Sequence, residues 1–136
     1  MSNEEFDAES MIKGLKELYQ RYIELKKEIE EKENELQRIL TKHGWTADYV
    51  REHTMYINKR WVLNKTGQKY YYFWLVIKRG SEIVQNIYLG AEVRKELEEE
   101  IADFKRAKEI LRELKRLKFY KAVLGKQLEK IQNILM

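Results

Sequence analysis

Apolar residues recur at alternating intervals of three and four along two segments, one near each end of the chain. This spacing is the seven-residue pattern of a coiled-coil seam, and Glu and Lys residues fill most of the other positions. The first segment runs from residue 7 to 43, Lys32 takes the one seam position without an apolar residue, and Gly44 follows as a helix stop. Its seam residues are Leu15, Leu18, Tyr22, Leu25, Ile29, Leu36 and Ile39.

A second helical segment runs from residue 92 to 135. Its pattern slips between Ala107 and Leu111, as a stutter in the heptads would make it do, and weakens again near Gly125. An interior glycine costs a helix about 1 kcal/mol relative to alanine, so the pattern allows a bend or break at 119–125. The apolar residues of this segment are Leu97, Ile101, Phe104, Leu111, Leu114, Leu117, Leu124, Leu128, Ile131 and Leu135.

Residues 54–90 carry a different pattern, rich in aromatic and β-branched residues. Two glycine-containing stretches, 64–68 and 79–81, divide this region into three. The pattern predicts three antiparallel strands in a β-meander. Thr46 is placed to cap a short helical turn over residues 46–53, before the first strand.

The register of the predicted sheet follows from keeping apolar residues on one face. Val62 is then opposite Tyr70, and a three-residue second loop places Lys78 opposite Glu82. The apolar face, expected to pack on the helices, holds Met55, Ile57, Trp61, Leu63, Tyr71, Phe73, Leu75, Ile77, Ile83, Ile87 and Leu89. The opposite face holds Tyr56, Asn58, Arg60, Tyr70, Tyr72, Trp74, Lys78, Asn86 and Tyr88.

The sequence therefore predicts an α+β fold, in which two long antiparallel coiled-coil helices are joined by a three-stranded antiparallel β-meander within one extended module, residues 1–136. Residues 24–35 carry six Glu and three Lys, whereas residues 105–121 carry eight Lys or Arg and two Glu. This charge pattern favours pairing with Ile29 near Lys105. A two-helix seam leaves some apolar side chains uncovered, so a homodimer built as a four-helix bundle is predicted. These side chains are Tyr19, Ile23, Leu40, Ile110 and Phe119.

Composition narrows the chemistry that the chain can perform. Its 136 residues include no cysteine, no proline and two histidines. Disulfides, thiolate metal sites and cysteine nucleophiles are excluded, and no hydrolase, nucleotide-binding or zinc-protease motif is present. His43 follows a helix end, where a cationic side chain is favourable. We therefore expect a non-enzymatic protein with no cofactor, no metal site and no small-molecule substrate.

Hydropathy and composition also bear on location. No run approaches the roughly 18 apolar residues of a membrane span, so no membrane association is expected. The acidic start, residues 1–10, has no apolar core of a secretory signal, which predicts a cytoplasmic protein. The Lys- and Glu-rich, proline-free composition is compatible with a thermophilic source.

The predicted sheet has the composition of a nucleic-acid-binding surface. Residues 54–90 carry six Lys or Arg and one acid, a net charge of +5, against +4 for the whole chain. Cations neutralise phosphates, rings stack on bases and asparagines read base edges. The alternative is that the rings are strand formers and the cations protect a sheet edge, in a structural or assembly protein whose surfaces bind protein. The residues predicted to bind nucleic acid are Asn58, Arg60, Lys69, Tyr70, Tyr72, Trp74, Lys78, Arg79 and Asn86.

The stretch from Gly67 to Trp74, followed by Lys78-Arg79-Gly80 and then Tyr88-Leu89-Gly90, resembles a pattern of small prokaryotic proteins. The layout is similar to small coiled-coil proteins of archaeal viruses and plasmids, which implies a location in the host cytoplasm. The sheet is similar in arrangement to the three-stranded arm-binding domains of phage integrases, which implies DNA binding through the sheet. Two long helices joined by strands also resemble the β-type subunit of prefoldin. This resemblance implies that the chain binds protein, in agreement with the alternative of a structural or assembly protein.

Overall fold

We describe a computed structural model of the chain over residues 8–135. The long N-terminal helix, the three-stranded antiparallel sheet and the long C-terminal helix are confirmed, and together they form an α+β fold. The expected first residue of the first helix, residue 7, lies outside the described residues. In chain order the elements are α1 (Ala8–His43), α2 (Ala47–Glu52), β1 (His53–Leu63), β2 (Lys69–Arg79), β3 (Glu82–Gly90) and α3 (Lys95–Leu135).

The chain leaves α1 through a glycine. Gly44 has φ of +69°, a left-handed conformation that a residue with a Cβ adopts at a cost, and the backbone N–H of Trp45 donates to the carbonyl of Leu40 at 3.0 Å. This is the Schellman arrangement of a helix end. Thr46 then caps α2, since its hydroxyl oxygen accepts from the N–H of Tyr49 at 3.0 Å.

The chain divides into two compact units, and one of them is Leu36–Leu111, which contains the sheet. Its core is built around Phe104, which is fully buried and meets Trp45 edge-on with ring centroids 5.2 Å apart. The ring of His43 stacks on the ring of Trp45, with ring centroids 4.2 Å apart. Its buried apolar residues are Leu36, Leu40, Val50, Met55, Leu75, Val76, Ile77, Ile101, Phe104, Ala107 and Ile110.

The other unit comprises the parts of α1 before Leu36 and of α3 after Leu111. Lys32, at the polar seam position, lies 2.6 Å from a carboxylate oxygen of Glu113. Contacts between the two segments run in opposite chain directions, with the Nζ of Lys121 5.8 Å from the ring of Tyr22. Ile29 lines a groove together with Lys118, so the expected pairing of Ile29 with the 105–106 region is wrong. The buried apolar residues here are Leu25, Ile29, Leu114, Leu117, Leu124 and Leu128.

The prediction that two helices would leave five apolar side chains uncovered is partly wrong. Ile110 is 0 % exposed and Leu40 is also buried. The slip in the pattern of α3 is the reason, because it places Ala107 and Ile110 on the same buried stripe as Phe104. Tyr19, Ile23 and Phe119 are exposed, as expected. Helix α3 is continuous from Lys95 to Leu135, including the stretch 119–125.

The three strands pair in chain order. Between β1 and β2 the predicted register is confirmed, with Val62 opposite Tyr70. Between β2 and β3 the predicted register is wrong, since Arg79 pairs with Glu82 and Lys78 with Ile83. The second turn therefore has two central residues, and Gly80 with φ of +63° suits the first position of a type II′ turn.

A β-bulge in β3 compensates for the shorter turn. Ile77 pairs with Gln85, so Val84 is an extra residue between two regular pairs. Beyond it Ile87 is opposite Leu75, on the face that was predicted for both. Ile83 is the exception, because its pairing with Lys78 places it on the opposite face from the one expected.

Candidate nucleic-acid interface

Most of the predicted binding residues share one face of the sheet. Asn58 is opposite Trp74, which is opposite Tyr88, and Arg60 is opposite Tyr72. Directly paired residues lie on the same face, and so do residues two apart along a strand. We call this the aromatic face, and it includes Tyr56, Asn58, Arg60, Tyr70, Tyr72, Trp74, Lys78, Asn86 and Tyr88, together with Val62, Val76 and Ile83.

Two predicted residues are not on the aromatic face. Lys69 is opposite Leu63 and its ammonium lies 4.8 Å from the ring of Trp61, on the other side of the sheet. Arg79 is opposite His53, and its guanidinium lies 3.5 Å from a carboxylate oxygen of Glu52. The structure therefore groups the other seven predicted residues and separates these two from them.

Aromatic rings hold the cations of this face. The guanidinium of Arg60 lies 5.4 Å from the ring of Trp74, and the ammonium of Lys78 lies 5.5 Å from that of Tyr56. Among the described residues, neither cation has a carboxylate within 4.0 Å. Cation–π contacts position a charge without neutralising it, so both cations keep their full charge for an anion.

These cation–ring contacts were not predicted from the sequence. The signal is present, because Arg60 and Trp74 are diagonal neighbours once Val62 is opposite Tyr70, and long side chains reach across that diagonal. The same register places Tyr88 beside Trp74, with ring centroids 5.0 Å apart.

Access to the aromatic face changes along the sheet. Val76, in the middle of β2 on this face, is only 1 % exposed, and Tyr56 and Trp74 are half-buried. Arg60, Tyr70, Asn86 and Tyr88 are exposed. The accessible part of the face is therefore the part nearer the first hairpin loop and the outer strand β3.

The β1–β2 hairpin continues beyond the third strand. The last pair of β3 is Gly90 with Phe73, whereas β1 and β2 remain paired as far as Leu63 and Lys69. We call residues 59–73 the hairpin arm. It carries four basic residues and no acidic residue, a net charge of +4. The basic residues are Lys59, Arg60, Lys65 and Lys69.

The hairpin arm is exposed on both faces, which corrects the prediction that the whole apolar face packs on the helices. Met55, Leu75 and Ile77 are buried, but Trp61 is 54 % and Leu63 58 % exposed. The cause is the length of the strands, which carries this end of the hairpin past the buried core of its unit. Tyr71, Ile83 and Ile87, which were predicted for the same apolar face, are exposed as well.

A hydrogen-bond network fixes the tip of the hairpin arm. The side-chain oxygen of Asn64 accepts from the N–H of Thr66 at 2.9 Å, from the Thr66 hydroxyl at 2.7 Å and from the N–H of Gln68 at 2.8 Å. Its amide nitrogen donates to the Tyr70 hydroxyl at 3.1 Å. Gly67 has φ of +82°, which the loop requires. The tip is therefore held by side-chain bonds in addition to the strand ladder.

The histidines serve structural contacts. Nδ1 of His53 donates to the carbonyl of Tyr49 at 2.8 Å, and His43 lies 2.7 Å from Asp103. Over residues 8–135, no group of three or more His, Cys, Asp or Glu side chains is arranged to hold a metal ion. No helix within that range has the length and apolar character needed to cross a membrane.

The fold and the site define an α+β protein with a three-stranded meander whose hairpin carries exposed rings and cations. Comparisons of the chain with models of protein families, with curated proteins and with solved structures found no match. The resemblances to virus and plasmid proteins, integrase arm domains and prefoldin therefore stay predictions.

Proposed function

We propose that the chain binds duplex DNA through its hairpin arm and the adjoining aromatic face, without catalysing a reaction. The observation that supports this proposal best is the hairpin arm itself, which has four cations, no carboxylate and exposed rings on both faces. A surface built for protein contact is usually depleted of Lys at its centre, whereas a DNA-binding surface is strongly basic.

The dimensions of the hairpin arm suit a DNA groove. Five residue pairs, from Lys59–Phe73 to Leu63–Lys69, form this part of the ladder. At about 3.4 Å per residue they extend roughly 14 Å before the turn. The major groove of B-form DNA is about 12 Å wide and about 8.5 Å deep, and it admits a two-stranded β-ribbon. The arm is therefore long enough to reach base edges while its cations meet the phosphates.

The binding residues then have distinct roles. Arg60 on one face and Lys69 on the other neutralise phosphates on the two sides of the groove, and Asn58 and Asn86 offer amides to base edges. Arg79 contributes less, because Glu52 already lies beside it. Tyr70, Tyr72, Trp74 and Lys78 shape the aromatic face and hold its cations in place.

Binding of a labelled duplex at several salt concentrations tests this proposal. Counterion release predicts a log–log slope of about −0.9 for each phosphate that is neutralised. The double variant Arg60→Glu with Lys69→Glu should weaken binding by about 100-fold or more at low salt. Its control is Lys115→Glu with Arg116→Glu, which makes the same change in net charge at two exposed positions of α3. No binding by the wild type at low salt, or equal losses in both variants, would refute the proposal.

Duplex RNA provides a second comparison. The major groove of an A-form duplex is too narrow for side chains to read. A groove-inserted arm therefore predicts at least a tenfold preference for duplex DNA over duplex RNA of the same sequence and length. Equal affinity would mean that the cations contact only the backbone.

A second candidate function is a structural or assembly role, and a specific observation favours it. Trp61 and Leu63 are both more than half exposed on the same face of the hairpin arm, and exposed apolar patches mark sites of protein interaction. Antiparallel coiled-coil pairing of α1 with α3, supported by the Lys32–Glu113 contact, belongs to this same proposal. Replacing Arg60 and Lys78 by Glu separates the two functions, since it should abolish DNA binding but leave protein assembly intact.

A further inference from the structure

Strand β3 forms an edge of the sheet. The strand order is β1-β2-β3, so β3 pairs on one side only, and all its residues from Glu82 to Tyr88 are exposed. Ile83, Val84, Ile87 and Tyr88 are each about half exposed. An unpaired row of backbone N–H and C=O groups flanked by exposed apolar side chains readily accepts another strand.

This edge lacks the usual protection against pairing. β3 has one charged residue, Glu82, at its very start, and no Lys, Arg or Pro. The opposite edge, β1, carries Lys59 and Arg60, and the ammonium of Lys108 donates to backbone carbonyls of His53 and Val50 at its start. Lysines on the edge and groups covering it are what natural sheets use to block association. Edge strand β1 is therefore protected against pairing with another strand, whereas edge strand β3 is not.

We propose that β3 pairs antiparallel with β3 of a second copy of this chain, so that two three-stranded sheets join into one of six strands. The two bulges of β3, at Val84 and Leu89, leave a regular stretch from Gln85 to Tyr88 between them. The two-fold axis lies in this stretch, at Asn86 or Ile87. An isologous interface of this kind closes after two copies.

The charge pattern of β3 favours a second copy as the occupant, because self-pairing of this strand brings no like charges together. Antiparallel self-pairing sets the two Glu82 residues at opposite ends, about nine residues or roughly 30 Å apart, so no like charges meet. Self-pairing of β1 would instead bring Lys59 and Arg60 of one copy close to those of the other. A polyanion finds no cation on β3, since residues 83–90 are uncharged. The edge pairing is thus independent of the proposed DNA binding.

Single cysteines test the pairing directly, because the natural chain has none. Residues next to the two-fold axis face their own counterparts, and a disulfide needs Cβ atoms about 3.5–4.5 Å apart. Under mild oxidation the disulfide-linked dimer should peak for Asn86→Cys or Ile87→Cys and fall at Gln85→Cys and Ile83→Cys. Ile23→Cys, on the exposed stripe of α1, is the control. Uniformly weak cross-linking along β3, or the strongest yield at position 23, would overturn the proposal.

Light scattering tests it without cross-linking. The wild type should have twice the chain mass, and Ile87→Lys should reduce it to the mass of one chain. Val62→Lys places the same charge at a β1 position of similar exposure and should remain a dimer. A monomeric wild type, or a dimeric Ile87→Lys, would contradict β3 pairing. Neither measurement includes nucleic acid, so a negative result would refute β3 pairing without refuting the proposed DNA binding.

Discussion

The pKa of Asp103 is lowered by two neighbouring side chains at the end of α1. Its carboxylate forms a 2.7 Å hydrogen bond with Nε2 of His43 and lies 3.1 Å from the ammonium of Lys42. The bond with His43 is the main cause that holds the pKa of Asp103 below its ordinary value of 3.8, and Lys42 adds to it while partial burial opposes it. The end of α1 is thereby tied to α3 by a group that acid will neutralise.

We predict that this contact makes stability depend on acid pH. Because the pKa of Asp103 is lower in the folded than in the unfolded chain, its contribution is complete above about pH 4 and is lost as the pH falls through the folded value. At pH 7, Asp103→Asn should lower the free energy of unfolding by about 1 kcal/mol, and this difference should shrink as the pH falls through the folded pKa of Asp103. Urea unfolding at pH 7 and at a series of acid pH values measures this. Asp48→Asn, at an exposed position, should change little, and a constant difference for Asp103→Asn would contradict the assignment.

Ile110 and Phe119 lie nine residues apart on α3 and give opposite predictions. Ile110 has no exposed surface, so Ile110→Ala should cost about 2–5 kcal/mol of unfolding free energy. Phe119 is 65 % exposed, so Phe119→Ala should cost under about 0.5 kcal/mol in a monomer. Chemical denaturation of both variants measures the contrast. A large loss at position 119 would indicate that a second copy covers it through the helices.

At the scale of elements, the sequence predicted which segments form helices and strands better than it predicted how the strands pair. The helices and the first hairpin register follow from periodicity, because Val62 opposite Tyr70 is the pairing that keeps Met55 and Ile77 together on one face. The register of the second hairpin did not follow from periodicity. The predicted three-residue loop and the observed two-residue turn with a bulge both place Ile87 on the same face of the sheet. Hydrophobic alternation alone does not distinguish them.

The hairpin loop depends on one asparagine. Asn64 accepts three hydrogen bonds that shape residues 64–68, and alanine at this position offers none of them. We expect Asn64→Ala to lower the local opening free energy of the hairpin arm by about 1–2 kcal/mol, so that amide exchange rises more in the arm than at Leu75. Hydrogen exchange followed by NMR measures this residue by residue. Lys65→Ala, at an exposed loop position without these bonds, is the control.

At the scale of the whole molecule, the buried core is unevenly divided. Of the seventeen apolar residues that are buried within the described chain, eleven lie in Leu36–Leu111. This unit holds the sheet, α2 and the helix ends that cover them. The candidate site belongs to it as well. Periodicity predicted which residues share the aromatic face, but it did not predict the exposed hairpin arm, because exposure depends on how far three strands overlap.

We predict that a fragment of residues 36–111 folds without the rest of the chain. Its far-ultraviolet circular dichroism should show mixed helix and sheet content and a cooperative thermal transition, since its core includes Phe104, Val50 and Val76. The complementary helical segments should be largely unfolded when separate, because isolated helices are marginal in water. A fragment with no cooperative transition would show that the sheet depends on the remaining helices.

The bulge at Val84 has a consequence for changes in chain length. Ile83 and Gln85 are opposite Lys78 and Ile77, which are neighbours in β2, so the partner strand leaves Val84 unmatched. Removing Val84 would give a regular ladder from Glu82 to Tyr88, in which every later side chain stays on the same face of the sheet. Removing Asn86 would instead move the side chains of all the following β3 residues to the opposite face of the sheet. Strand β3 can therefore lose a residue at Val84 without exchanging its two faces, whereas the loss of Asn86 exchanges them over the rest of the strand.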